Sequence, residues 1–223
     1  MSNMNIWSSV CKTDPKYTKK VTQRGGYTSI SPQYQLREAT TKFGPYGVGF
    51  GFESIEFDYS QLDLLKLVLV KAVFFYINDG NRAAFPIMNS WSVMTGSKVD
   101  ADFAKKAETN TMSKALSKLG FSADVFMGQF DDDEYVSMVK SEKLIENADD
   151  KISEKLQQTK EYQDKCVNEI ELIKKAQSLN DLQTTYTEYF RRSKMRNDLE
   201  QITRLNKAKD EMKLKLESNG VAS

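Results

Sequence analysis

The chain has 223 residues, 39% hydrophobic and 11% aromatic, which suits one medium globular domain with an appendage and excludes a disordered chain. Lysine and arginine number 32 against 31 acidic residues, so a nucleic-acid site requires local segregation of charge, not a globally basic surface. The absence of histidine removes His-based triads and His–metal sites, and no G-x-x-x-x-G-K-S/T phosphate loop is present, which argues against a motor.

Residues 1–50 are the most basic stretch, with seven cations (Lys12, Lys16, Lys19, Lys20, Arg24, Arg37, Lys42) against Asp14 and Glu38. Residues 12–27 mix cations, hydroxyls and aromatics in a glycine-containing loop. Lys16, Lys19, Lys20 and Arg24 are candidates to hold phosphates, with Tyr17 and Tyr27 as stacking platforms; an ordinary solvated loop is the alternative. Ser31–Pro32 reads as an N-cap with proline at the first helical position, and Leu36, Ala39 and Phe43 recur at helical spacing, predicting a helix over 32–43 that stops at Gly44.

The period then changes. Val48, Phe50, Phe52, Ile55 and Phe57 are strand formers, 62–77 is a continuous apolar run, and Asp79-Gly80 signals a hairpin whose return strand is 83–88, giving a three-stranded antiparallel sheet. The glycines of 43–52 precede no helix, so they serve a tight turn and not a dinucleotide.

From 100 to 119 the period is helical again, with small apolar residues (Ala104, Ala107, Thr111, Ala115) suited to close packing on a sheet. Lys106, Asn110, Lys114 and Lys118 recur every four residues with Lys105, Ser113 and Ser117 beside them, a basic row that is either a solvated face or one wall of a groove. The acidic run Asp131, Asp132, Asp133 and Glu134 admits a magnesium-dependent nuclease, but adjacent side chains diverge, and a solvated turn is favoured.

Beyond it the composition predicts amphipathic helices over 137–218, broken near 178–181 and 193–196, and a mobile tail at 219–223. The fold class is thus α+β. Cys11 and Cys166 lie in different units and predict no disulfide; with no signal peptide or membrane span evident, a cytoplasmic location is expected.

Two blocks carry a resemblance. Ile6-Trp7, Thr13-Asp14-Pro15-Lys16-Tyr17-Thr18-Lys19, Thr28-Ser29-Ile30, Ala39-Thr40 and Phe43-Gly44-Pro45-Tyr46-Gly47, followed by Lys105-Lys106-Ala107-Glu108-Thr109-Asn110, Lys114-Ala115-Leu116-Ser117-Lys118-Leu119-Gly120-Phe121 and Ala123-Asp124-Val125-Phe126, resemble phage single-strand DNA annealing proteins related to the Rad-fifty-two family. The resemblance covers about residues 5–136 and makes 1–136 the annealing domain. It implies a β-β-β-α core, rings or helical filaments, and a basic groove presenting single-stranded DNA for pairing. The relatives carry an arginine where Tyr34 stands, with Arg37 one turn later as its substitute, while Lys114 and Lys105 match family lysines. The expectation is an ATP-independent strand-annealing recombination and repair protein, not an enzyme, without cofactor or metal. Its contacts would be Lys16, Lys19, Lys20, Arg24, Tyr27, Arg37, Lys105, Lys106, Lys114 and Lys118. The rivals are a nuclease and a passive single-strand-binding or loader protein. The C-terminal helices are expected to meet a single-strand-binding protein, an exonuclease or further copies of the chain.

Overall fold

A computed structural model describes residues 4–22 and 25–220. The N-terminal helix α1 (Asn5–Val10) leads through a 3-10 turn (Pro15–Tyr17) into an antiparallel hairpin of β1 (Thr18–Val21) and β2 (Tyr27–Ile30). Lys19 and Lys20 therefore sit on a strand where the sequence predicts a loop. Helix α2 spans Pro32–Phe43, the predicted bounds. The Ser31 side chain makes no capping bond, so the start rests on the fixed φ of Pro32, and Gly44 (φ 97°) ends the helix with its N–H on the Thr40 carbonyl at 2.9 Å.

The sheet has the order β3-β4-β5, formed by β3 (Phe50–Asp58), β4 (Leu67–Asn78) and β5 (Asn81–Ser92), all antiparallel. Phe50 and Phe52 alternate, then three positions separate Phe52 from Ile55; a bulge at this point returns Ile55 and Phe57 to the same face. The apolar run 62–77 is not one strand. Its first residues form a helical turn, α3 (Leu62–Leu65), and Lys66 in the left-handed region (φ 54°) turns the chain into β4. Asp79 (φ 52°) and Gly80 (φ 76°) close the β4–β5 hairpin with the two positive φ angles of a type I′ turn. The return strand runs beyond the predicted 83–88. Among the described residues β5 pairs with β4 alone, so Pro86, which lacks an N–H, sits on an edge where no bond is forfeited.

A small hairpin, β6 (Met94–Thr95) and β7 (Lys98–Val99), leads to α4 (Phe103–Lys118). One sheet face, through Phe50, Ala72, Phe74 and Ile87, packs on Ala39 and Phe43 of α2 and on Met112, Ala115 and Leu116 of α4, with Val10 and Phe121 closing the core. Each large apolar side chain buried this fully contributes roughly 1.5–3 kcal/mol. The outer face carries ion pairs, Lys71 with Asp58 at 2.6 Å and Arg82 with Glu53. Gly49 has no substitute, since a Cβ there would lie 1.8 Å from the Phe43 carbonyl oxygen. After α4 come α5 (Ala123–Phe126), a 3-10 turn (Gln129–Asp131) and α6 (Asp133–Asn147).

The chain divides into two compact units, Met1–Val139 and Lys140–Ser223. The second contains α7 (Lys151–Lys174), α8 (Leu179–Met195) and α9 (Leu199–Gly220), packed through Ile170, Ile173, Ala176, Leu182, Leu205, Ala208 and Met212. Ser178 caps α8 by accepting from the Asp181 N–H at 3.1 Å. Ile152, Leu156 and Leu199 are 75%, 67% and 75% exposed and do not belong to this core. Helix α9 continues through Gly220, past the predicted start of a mobile tail, and the rest of that tail lies outside the described residues. Among the described residues no helix is long and apolar enough to cross a membrane.

Candidate nucleic-acid interface

A groove of about 700 Å³ lies between β2 and α4. Among the described residues β2 pairs only with β1, and residues 26–30 all line the groove, as befits a strand edge with backbone N–H and C=O groups to offer. The opposite wall is Lys105, Lys106, Thr109, Asn110 and Ser113 of α4. Trp91 of β5 and Pro32 and Gln35 of α2 contribute to the lining, and Val125, Phe126, Gly128 and Asp131 complete it.

The walls are held by a polar network that links the two sequence blocks. The Asp124 carboxylate is 4% exposed and accepts from the Thr13 N–H (2.7 Å), the Thr13 hydroxyl (2.6 Å) and the Tyr135 hydroxyl (3.1 Å). Cys11 and Val10 carbonyls accept from the Asp124 and Ser122 N–H groups, fixing the N-terminal segment to the turn after α4. Beside it, the Asp14 N–H donates to the Tyr34 hydroxyl at 3.1 Å, and Tyr34 stacks on Tyr17 with ring centres 4.7 Å apart. Burial pushes the Tyr34 phenol up to about 12.

Of the ten predicted contacts, Tyr27, Lys105 and Lys106 line the groove. Tyr27 is 53% exposed. The Lys105 ammonium makes no hydrogen bond or ion pair with the described residues, whereas Lys106 pairs with Asp100 at 2.7 Å. Lys19 lies on the neighbouring strand, opposite Ser29 of the groove wall, and Lys20 faces Asp133 at 3.2 Å. Lys16 is turned to Asp14 at 3.3 Å, whose hydrogen bond and charge raise its pKa. Arg37 donates to the Tyr17 hydroxyl (2.7 Å) and to Glu38 (2.9 Å); the bond to Glu38, then that to Tyr17, raises its pKa, and its guanidinium lies over the Tyr17 ring. Lys114 donates to the Met88 carbonyl at 3.0 Å and Lys118 lies over Phe85, so the far half of the basic row follows the β5 edge and not the groove. Arg24 lies outside the described residues.

The acidic run scatters. Asp131 lines the groove, Asp132 accepts from the Glu134 N–H at 2.9 Å at the start of α6, Asp133 faces Lys20, and Glu134 is buried at 4% exposure. Among the described residues no three His, Cys, Asp or Glu side chains converge as a metal site would need. Sequence reasoning missed Trp91, Phe126, Gln35 and the hydroxyls Thr28, Ser29 and Thr109. The row Lys105, Thr109 and Ser113, one residue before the lysine row, carries the helical spacing that would have found the second wall. No family profile, no curated protein and no solved structure matches the chain.

Proposed function

We propose that this chain binds single-stranded DNA in the groove between β2 and α4 and anneals complementary strands without ATP, acting as an oligomeric ring or filament in recombination and repair. The observation that supports it is the composition of the groove: Lys105 and Lys106 stand among hydroxyls and an open strand edge, with Tyr27, Trp91 and Phe126 as aromatic surfaces. Cations and backbone donors neutralise phosphates while ring faces support bases, which is how single strands are held without reading sequence. Neutralised phosphates release counterions and lower the repulsion against an incoming strand. Watson–Crick pairing then selects the partner, and no covalent bond changes. Asp131 at the rim repels a strand that strays from the basic wall. The C-terminal helices serve contact with a partner protein.

Affinity for an unstructured oligonucleotide should fall steeply with salt. Lys105→Glu with Lys106→Glu should lower it further and reduce the log–log salt slope by about 0.7 for each phosphate no longer neutralised. A flat salt dependence would sink the proposal. Annealing of complementary oligonucleotides faster than their spontaneous rate separates this function from passive strand binding, and strands left intact in magnesium separate it from a nuclease.

A further inference from the structure

Gln35 is 2% exposed, and its side-chain nitrogen is buried with no hydrogen-bond partner among the described residues. It belongs to the lining of the groove between β2 and α4. The other buried glutamine differs in the atom left open: Gln201 Nε2 donates to the Cys166 carbonyl at 3.1 Å and lies 3.4 Å from Glu169, and it is Oε1 that lacks a partner among the described residues, inside the helical unit and outside the groove lining. No such acceptor holds the Gln35 nitrogen among the described residues. A buried, unsatisfied amide destabilises the protein that carries it, and an apolar side chain of the same size would be neutral or better. The cost is offset when a ligand supplies the missing partner.

We infer that Gln35 is a base-contacting residue: one base of the bound strand turns into the groove and its edge pairs with the Gln35 carboxamide. This rests on the single-strand reading above and adds a base-dependent contact to it. A carboxamide offers a donor and an acceptor side by side, matching the mixed edge of a base, whereas a phosphate offers acceptors only. Half a turn about the terminal bond of Gln35 exchanges the two, so either can be presented. Depth favours the base as well, because an anion placed beside a nearly fully buried neutral amide loses far more hydration than a neutral ring edge does. The cations Lys105 and Lys106 are exposed and hold the phosphates further out. Trp91 and Phe126 supply faces for the inserted ring.

The test is fluorescence anisotropy with labelled oligo(dT) and an abasic strand of equal length, which keeps every phosphate and has no base. Wild type and Gln35→Leu are compared, with Gln35→Met as a second variant of closer shape, and urea unfolding is run on each. The expected result is a loss of about tenfold in oligo(dT) affinity for both variants, abasic binding within about twofold of wild type, and a urea midpoint equal to or above wild type. Unchanged oligo(dT) affinity overturns the inference, as does an equal loss on both strands, which would place the contact on the backbone. Lower urea midpoints in both variants would make Gln35 structural and also overturn it. Failure of wild type to bind either strand instead sinks the single-strand reading on which the inference stands.

Discussion

Tyr34 stands where the resemblance places an arginine, and the structure gives it a different role. Its ring stacks on Tyr17 and its hydroxyl accepts the Asp14 N–H. Arg37 then closes over both rings, at 4.7 Å from the Tyr17 centre and 5.2 Å from that of Tyr34. The cation expected to replace the missing arginine is thereby engaged within its own chain, by Tyr17 and Glu38. The Tyr34 phenol, raised by burial from 10.0 to about 12, holds its proton more tightly folded than unfolded. Stability from this group is fully present below pH 10 and is lost as pH rises through about 12. Tyr34→Phe should cost about 1 kcal/mol at neutral pH because the hydrogen bond is removed, and its urea midpoint should approach that of wild type between pH 10 and pH 12. A gap that stays constant across that interval would show that Tyr34 does not titrate as assigned.

Among the elements, those with local punctuation were legible. Helix α2 lies between Pro32 and Gly44, and the β4–β5 hairpin turns on Asp79-Gly80, so each needs only a few neighbouring residues to define it. Gly120 shows a demand that no local pattern reveals. Its φ of 97° suits the end of α4, but a Cβ there would also come within 2.6 Å of the Trp7 indole, more than a hundred residues away in sequence. Gly120→Ala should therefore lose about 2–4 kcal/mol by combining backbone strain with overpacking, read as a lower denaturant midpoint with altered tryptophan fluorescence. A change under about 0.5 kcal/mol, typical of an open surface site, would mean that Trp7 does not pack there. The β1–β2 hairpin was missed because Thr18–Val21 lacks an alternating apolar pattern, and α3 because Leu62, Leu64 and Leu65 continue the apolar run of the strand that follows. The groove was only partly legible for a related reason. Its lining comes from residues 26–35, 91, 105–113 and 125–131, brought together by the sheet and by Asp124, and Trp91 and Gln35 carry no mark of their role in their own neighbourhoods.

At the scale of the molecule, the two units have separate cores. Every residue of the sheet-and-helix core precedes position 122 and every residue of the helical core follows position 169, so neither apolar cluster draws on the other. The groove lining also ends at Asp131, inside the first unit. A chain cut at the division between Val139 and Lys140 would sever α6, which runs from Asp133 to Asn147 and contains the buried Glu134 and Val139. Cut instead after Ala148, it keeps α6 whole. That shortened chain should fold, unfold in one cooperative transition, and bind oligo(dT) within about threefold of the full chain, a difference below about 1 kcal/mol. Its salt slope should match the full chain's, because the number of neutralised phosphates depends on the groove and not on the helical unit. A shallower slope, or loss of binding by a fragment whose circular dichroism shows it folded, would move the DNA contacts into the C-terminal helices and leave the groove between β2 and α4 without its assigned ligand.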